Sequence, residues 1–144
     1  MSTVDPGQLK GVTLFSTCTD EQLERVAEVA TIERFESGAA LTREGSIGRR
    51  FYLLLDGEVS VERGGRVVAT LRRGDFVGEI GLLGGGRATA TVVCTEPTTC
   101  LILEREPFWR VLESQPTIAL RILELVCRRM EEQWQTAPVG NLGR

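Results

Sequence analysis

The spacing of apolar and polar positions along the 144 residues changes period twice. Leu23, Val26, Ala27 and Ala30 recur at helical intervals, with Glu21, Glu24, Arg25 and Glu28 turned outward. Just before them, Thr19-Asp20-Glu21-Gln22 reads as a helix start: Thr19 is the N-cap, Gln22 closes a capping box, and acids fill the first turn. Gly38 is a break, and from there to about Glu104 the pattern is one of short strands. Phe51-Tyr52-Leu53-Leu54-Leu55 is a continuous apolar run, hence a strand buried on both faces. After Asp56-Gly57, Val59 and Val61 alternate with Glu58, Ser60 and Glu62. Arg63-Gly64-Gly65-Arg66 is a hairpin turn whose glycines supply positive φ angles, and Val67 to Leu71 is the return strand. Thr89 to Cys94 and Thr99 to Leu103 are two further strands, separated by a turn at Glu96-Pro97.

Helical spacing then returns. Glu106-Pro107 opens a short amphipathic piece to about Glu113, and Pro116 opens a longer helix to about Trp134. On it Ala119, Ile122, Val126, Met130 and Trp134 form one stripe, with Leu120, Leu123 and Cys127 forming a second beside it. An apolar face that wide exceeds what one surface helix buries, so one stripe is expected to pack on the strands and the other to meet a protein partner or a second copy of the chain. Short strands flanked by helices at both ends predict an α+β domain: an antiparallel β-roll (double-stranded β-helix, jelly-roll-like) with N- and C-terminal helices. Residues 1–134 are expected to form a single domain and 135–144 a mobile tail.

Composition narrows the chemistry. Apolar residues make up 42% and charged residues 26%, as in a soluble globular domain, and no apolar run approaches a membrane span. The start lacks the basic and apolar regions of a signal peptide, so the cytoplasm is the expected location. A net charge of -3, with no helix-turn-helix within these residues, predicts no direct nucleic-acid contact. The chain has no histidine, which removes Ser-His and Cys-His nucleophile pairs and His-containing zinc sites. Cys18, Cys94, Cys100 and Cys127 show no paired spacing and read as buried structural thiols. No enzyme activity, metal or cofactor is expected.

The most distinctive stretch is Gly78-Glu79-Ile80-Gly81-Leu82-Leu83 with Ala90-Thr91-Val92. It resembles the phosphate-binding cassette of the cyclic-nucleotide-binding domain, in which Gly-Glu opens a short apolar turn, three variable residues come next, and a Pro-Arg pair precedes Ala-Ser/Thr-Val. The run from Phe51 to Val61 and the pair Gly74-Asp75 resemble two framework signatures of the same family, and the likeness extends over roughly residues 8 to 134. The resemblance implies a cyclic nucleotide ligand, cAMP first and cGMP second. It implies that Glu79 accepts a hydrogen bond from the ribose 2′-hydroxyl and that Gly78, Ile80, Gly81 and Leu82 present backbone N–H groups to the phosphate. Thr89 adds a hydroxyl contact, and Val59, Val61, Leu71 and Ile80 are candidate walls of the base pocket, with ordinary core as their plainer reading. Arg128, Arg129, Met130 and Trp134 stand where the family brings a lid over the base, although helix packing or a dimer seam explains them as well.

The arginine departs from the family pattern. An ungapped match puts Arg87 at the proline position and Ala88 at the arginine position. Side chains alternate along a strand, so the slip aims Arg87 away from the pocket, unless Gly84-Gly85-Gly86 absorbs the shift. Three readings stand: Arg87 enters through a local bulge, the site binds weakly on Glu79 and the helix amides, or the domain does not bind a cyclic nucleotide. Arg49-Arg50 and Arg72-Arg73 read as solvated loop charges, and Glu44-Gly45-Ser46 as a strand-joining turn.

Overall fold

A computed structural model describes residues 4–136. Two 3-10 turns, Pro6–Leu9 and Thr13–Phe15, precede α1 (Asp20–Val29). The capping box forms as its sequence requires: Gln22 N donates to Thr19 Oγ1 at 3.2 Å, and Thr19 N donates to Gln22 Oε1 at 2.9 Å. The strands come next as β1 (Thr31–Phe35), β2 (Ala40–Thr42), β3 (Arg50–Asp56), β4 (Glu58–Arg63), β5 (Arg66–Arg72) and β6 (Phe76–Val77). One short helical turn, α2 (Glu79–Leu83), leads to β7 (Thr91–Cys94) and β8 (Thr98–Glu104), and α3 (Arg105–Ser114) and α4 (Pro116–Thr136) close the described chain. Residues 137–144, most of the expected tail, lie outside the described residues, while Gln135 and Thr136 continue α4.

The strands form two antiparallel sheets in the orders β1-β8-β3-β6 and β2-β7-β4-β5, which is the expected roll. The first is a middle layer, and the apolar run in β3 shows why. Phe51, Leu53 and Leu55 face the helices, in a core with Phe76, Leu101, Leu103, Phe108, Ile118 and Ile122. Tyr52 and Leu54 point the other way, into the roll, with Val59, Val92, Cys94, Cys100 and Ile102. A period of two on a strand covered on both faces therefore reads as an unbroken hydrophobic run. Phe51 stacks on Phe108 with ring centroids 4.9 Å apart, tying α3 to this sheet.

Several elements differ from the sequence expectation. Strand structure begins at Thr31, before Gly38; Glu33 and Arg34 mask the alternation there, and the strand is held by its full register on β8. The seventh strand starts at Thr91, not Thr89. On α4 the inward face runs through Ile118, Ile122, Leu125 and Val126, about one residue out of phase with the stripe read from sequence, and Met130 is half exposed. Leu120 and Leu123 are exposed at 65% and 59%, so the second stripe is uncovered as expected; the Trp134 side chain lies outside the described residues. Cys94 and Cys100 are buried as expected, with burial pushing the Cys100 thiol up to about 12, but Cys18 is only partly covered and Cys127 is exposed.

Candidate functional site

Between β6 and α2 the chain makes a turn that needs glycine. Gly78, the N-cap of α2, has φ +94, and a Cβ there would lie 2.2 Å from the carbonyl oxygen of Arg50. At the next position the Glu79 side chain is buried, the residue being only 4% exposed. Burial pushes its carboxyl above the ordinary carboxylate range. Arg129 and the residue's own backbone N–H act in the opposite sense.

Glu79 borders a cleft of about 650 Å³, a size suited to a small ligand. The roll contributes Val61, Leu71 and Val92, the cassette contributes Gly78, Ile80, Gly81, Ala88 and Thr89, and α4 closes one side with Arg128, Arg129 and Met130. Arg129 is the residue that sequence reasoning undervalued. Its Nη1 donates to Glu79 Oε1 at 3.2 Å, across 50 residues of sequence, and its Cζ sits 4.4 Å from the centroid of the Phe76 ring. A signal for it exists in the sequence: 118, 122, 125 and 129 share one helix face, so Arg129 is a charge placed on the buried stripe. Arg128, set by the family resemblance among the lid residues over the base, is at the cleft edge with a 65% exposed side chain.

Two of the residues expected at the site, Val59 and Arg87, have side chains that lie elsewhere. Val59 is fully buried inside the roll, because its inward phase on β4 points at Cys94 and Val92 and not at the opening. The Leu82 side chain faces the helix-side core and its carbonyl accepts from Trp109 Nε1 at 3.2 Å, which does not bear on the backbone N–H expected to meet the phosphate. Arg87 is turned to the opposite side of the loop. Residues 86–88 are held by backbone bonds from Gly48 N to Gly86 O, from Ala88 N to Ser46 O and from Gly45 N to Ala88 O. The extra residue in that ladder is on the facing segment, where Gly45 and Ser46 both bond to Ala88, and not at Arg87, so Ala88 faces the cleft, while Arg87 Nη1 donates to Gly45 O at 2.8 Å and lines a second cleft with Arg49, Glu104 and Arg105. Two further arginines are not free loop charges. Arg50 pairs with Glu104 at 3.0 Å and Glu33 at 3.6 Å, and Arg73, at the cleft, donates to Leu55 O at 2.7 Å.

Comparison with known proteins matches the cyclic nucleotide-binding domain to residues 32–115, a span that holds nearly all of the roll, the cassette and the whole of α3. The chain belongs to the cyclic nucleotide-binding domain family. It is 35% identical over 108 residues to a cAMP-dependent protein kinase regulatory subunit of Yarrowia lipolytica, covering 74% of this chain and 29% of that one. A cGMP-dependent protein kinase of Toxoplasma gondii is 33% identical over 113 residues, covering 78% of this chain and 11% of the kinase. The chain thus spans less than a third of either relative's length. Among solved structures, the catabolite activator protein of Thermus thermophilus superposes with a TM-score of 0.75 at 29% identity, covering 83% of this chain and 58% of that one. No helix among the described residues is long and apolar enough to cross a membrane.

Proposed function

We propose that this domain is a non-catalytic sensor of a 3′,5′-cyclic nucleotide, with cAMP preferred over cGMP, that signals through α4. The observation that carries the reading is the buried Glu79 carboxylate, held at the first turn of α2 beside a cleft of ligand size. In this reading the carboxylate accepts the ribose 2′-hydroxyl, the cassette backbone amides meet the phosphate, and Val61, Leu71 and Val92 receive the base. The regulatory subunit of a cAMP-dependent kinase, at 35% identity, supports cAMP as the first choice. Because α4 forms one wall of the cleft, a ligand that binds better with the helix closed shifts the helix toward that position. Calorimetric titration with cAMP and cGMP tests the proposal. One saturable site is expected, weakened at least about 10-fold by Glu79→Ala, the smallest loss typical of a hydrogen bond to a charged group. Silence with both nucleotides sinks it.

One observation favours a second reading, a domain that no longer takes a nucleotide and works as an interaction module through the exposed face of α4. Ala88 stands at the family's arginine position, and Arg87 points away from the cleft. The outcome specific to that reading is no binding by the natural chain and binding gained in Ala88→Arg.

A further inference from the structure

A cyclic phosphodiester carries a full negative charge, and a cleft that binds it tightly places a cation against it. Ala88 offers none, and Arg87 lies behind the loop on the Gly45 carbonyl. Arg73 gives one Nη1–H to the Leu55 carbonyl, Arg63 lines the cleft from β4, and the Arg128 side chain is largely in solvent, 3.8 Å from Glu124. Arg129 is different in three respects. It contacts the buried Glu79 carboxylate on the cleft wall, its guanidinium is steadied over the Phe76 ring, and its side chain remains 27% exposed, so a ligand can reach it. The Glu79 bond runs through Nη1 alone, and a guanidinium has five N–H donors, so a second acceptor can be held by the same fork.

We infer that Arg129, on α4, is the phosphate-binding cation of this domain, replacing the cassette arginine that the sequence lacks, and that ligand binding draws it from Glu79 onto the phosphate. The inference rests on the reading given under Proposed function. Its chemistry comes from the ligand's own connectivity: the cyclic phosphate is fused to the ribose that carries the 2′-hydroxyl. When that hydroxyl takes over the Glu79 carboxylate, a guanidinium already 3.2 Å from the same carboxylate is a neighbour of the phosphate. The exchange leaves both charges partnered, because the buried Glu79 keeps a donor and the half-buried Arg129 gains an anion. It also makes the coupling direct. A cassette arginine would sense the ligand from within the roll, whereas here the phosphate grips the signalling helix itself.

Calorimetry with cAMP and cGMP on the natural chain, Arg129→Gln, Arg129→Lys, Arg110→Gln and the double variant Ala88→Arg/Arg129→Gln tests this. Thermal melting of each confirms a folded transition, and Arg129→Lys, which keeps the charge, covers the case in which the Gln variant unfolds. Arg129→Gln is expected to lose about 30-fold or more in affinity, with Arg129→Lys retaining part of it and Arg110→Gln, an exposed arginine of α3 away from the cleft, close to the natural chain. Restoring the cassette arginine in the double variant recovers binding, and added salt weakens the natural chain more steeply than Arg129→Gln. An Arg129→Gln variant that binds as well as the natural chain, or more tightly, overturns the inference and makes Arg129 a plug that the ligand displaces; the sensor reading survives that result. No binding by the natural chain removes the sensor reading and this inference with it.

Discussion

Two clefts of nearly equal size, about 650 and 670 Å³, lie on either side of the loop that joins α2 to β7. The first encloses a buried carboxylate, its arginine partner and apolar strand residues. Around the second, Arg49, Arg87, Glu104, Arg105 and Glu106 are charged residues at the protein surface. Volume does not distinguish them. What distinguishes them is a charge taken out of water and then satisfied, because such a group costs free energy that an ordinary surface has no reason to incur. Consecutive residues serve the two sides: Ala88 faces the first cleft and Arg87 the second, since a strand-like ladder through residues 86–88 turns neighbours to opposite faces.

The contrast is broken most severely through its glycines. Gly78→Ala, on the first cleft, combines positive-φ strain of about 1–3 kcal/mol with a clash on the Arg50 carbonyl worth about 1–3 kcal/mol more. Urea unfolding is expected to show the sum. Gly86→Ala, on the second cleft, meets nothing within 4 Å and has only its φ of +84 to overcome, so the same measurement should show about 1–2 kcal/mol. Equal losses at the two positions would mean that the Gly78 turn is not held against β3.

A second contrast depends on pH. Burial raises the Glu79 carboxyl above its ordinary 4.5, so between that value and the raised one the folded chain binds the proton better than the unfolded chain. This group's contribution to stability is therefore present in acid and lost as the pH rises through the folded value. Glu79→Gln removes the titration, so its stability relative to the natural chain should climb through that window and level off on both sides. Melting curves collected from about pH 4 to about pH 8 check the sign. The smallest effect is expected at the exposed side: Arg87→Ala loses one hydrogen bond, about 0.5–1.5 kcal/mol, and leaves nucleotide affinity unchanged. A large loss of affinity there would return Arg87 to the site.

Much of this fold is legible because its signals are local. The Thr19 to Gln22 capping box, the Gly64-Gly65 hairpin and the Phe51 to Leu55 run each announce a conformation within a few residues. The strand from Thr31 to Phe35 is harder to see, because Glu33 acquires its partner Arg50 only when β3 and β8 assemble beside it. The stripe on α4 slips in phase for a related reason. A helix rich in apolar residues offers several stripes, and contacts with α3 and the Thr13–Phe15 turn select the one through Ile118.

By itself the sequence determined the roll and the family resemblance, and it singled out Glu79, because strand period, turn glycines and a short motif are written in neighbouring residues. It also implied by simple alternation that Arg87 turns away from Glu79. Only the tertiary structure decided that nothing in the loop reverses that alternation, that Val59 and Leu82 are core, and that Arg129 meets Glu79. That meeting joins residues 50 positions apart on different elements, and its strength comes from burial, a property no single segment possesses.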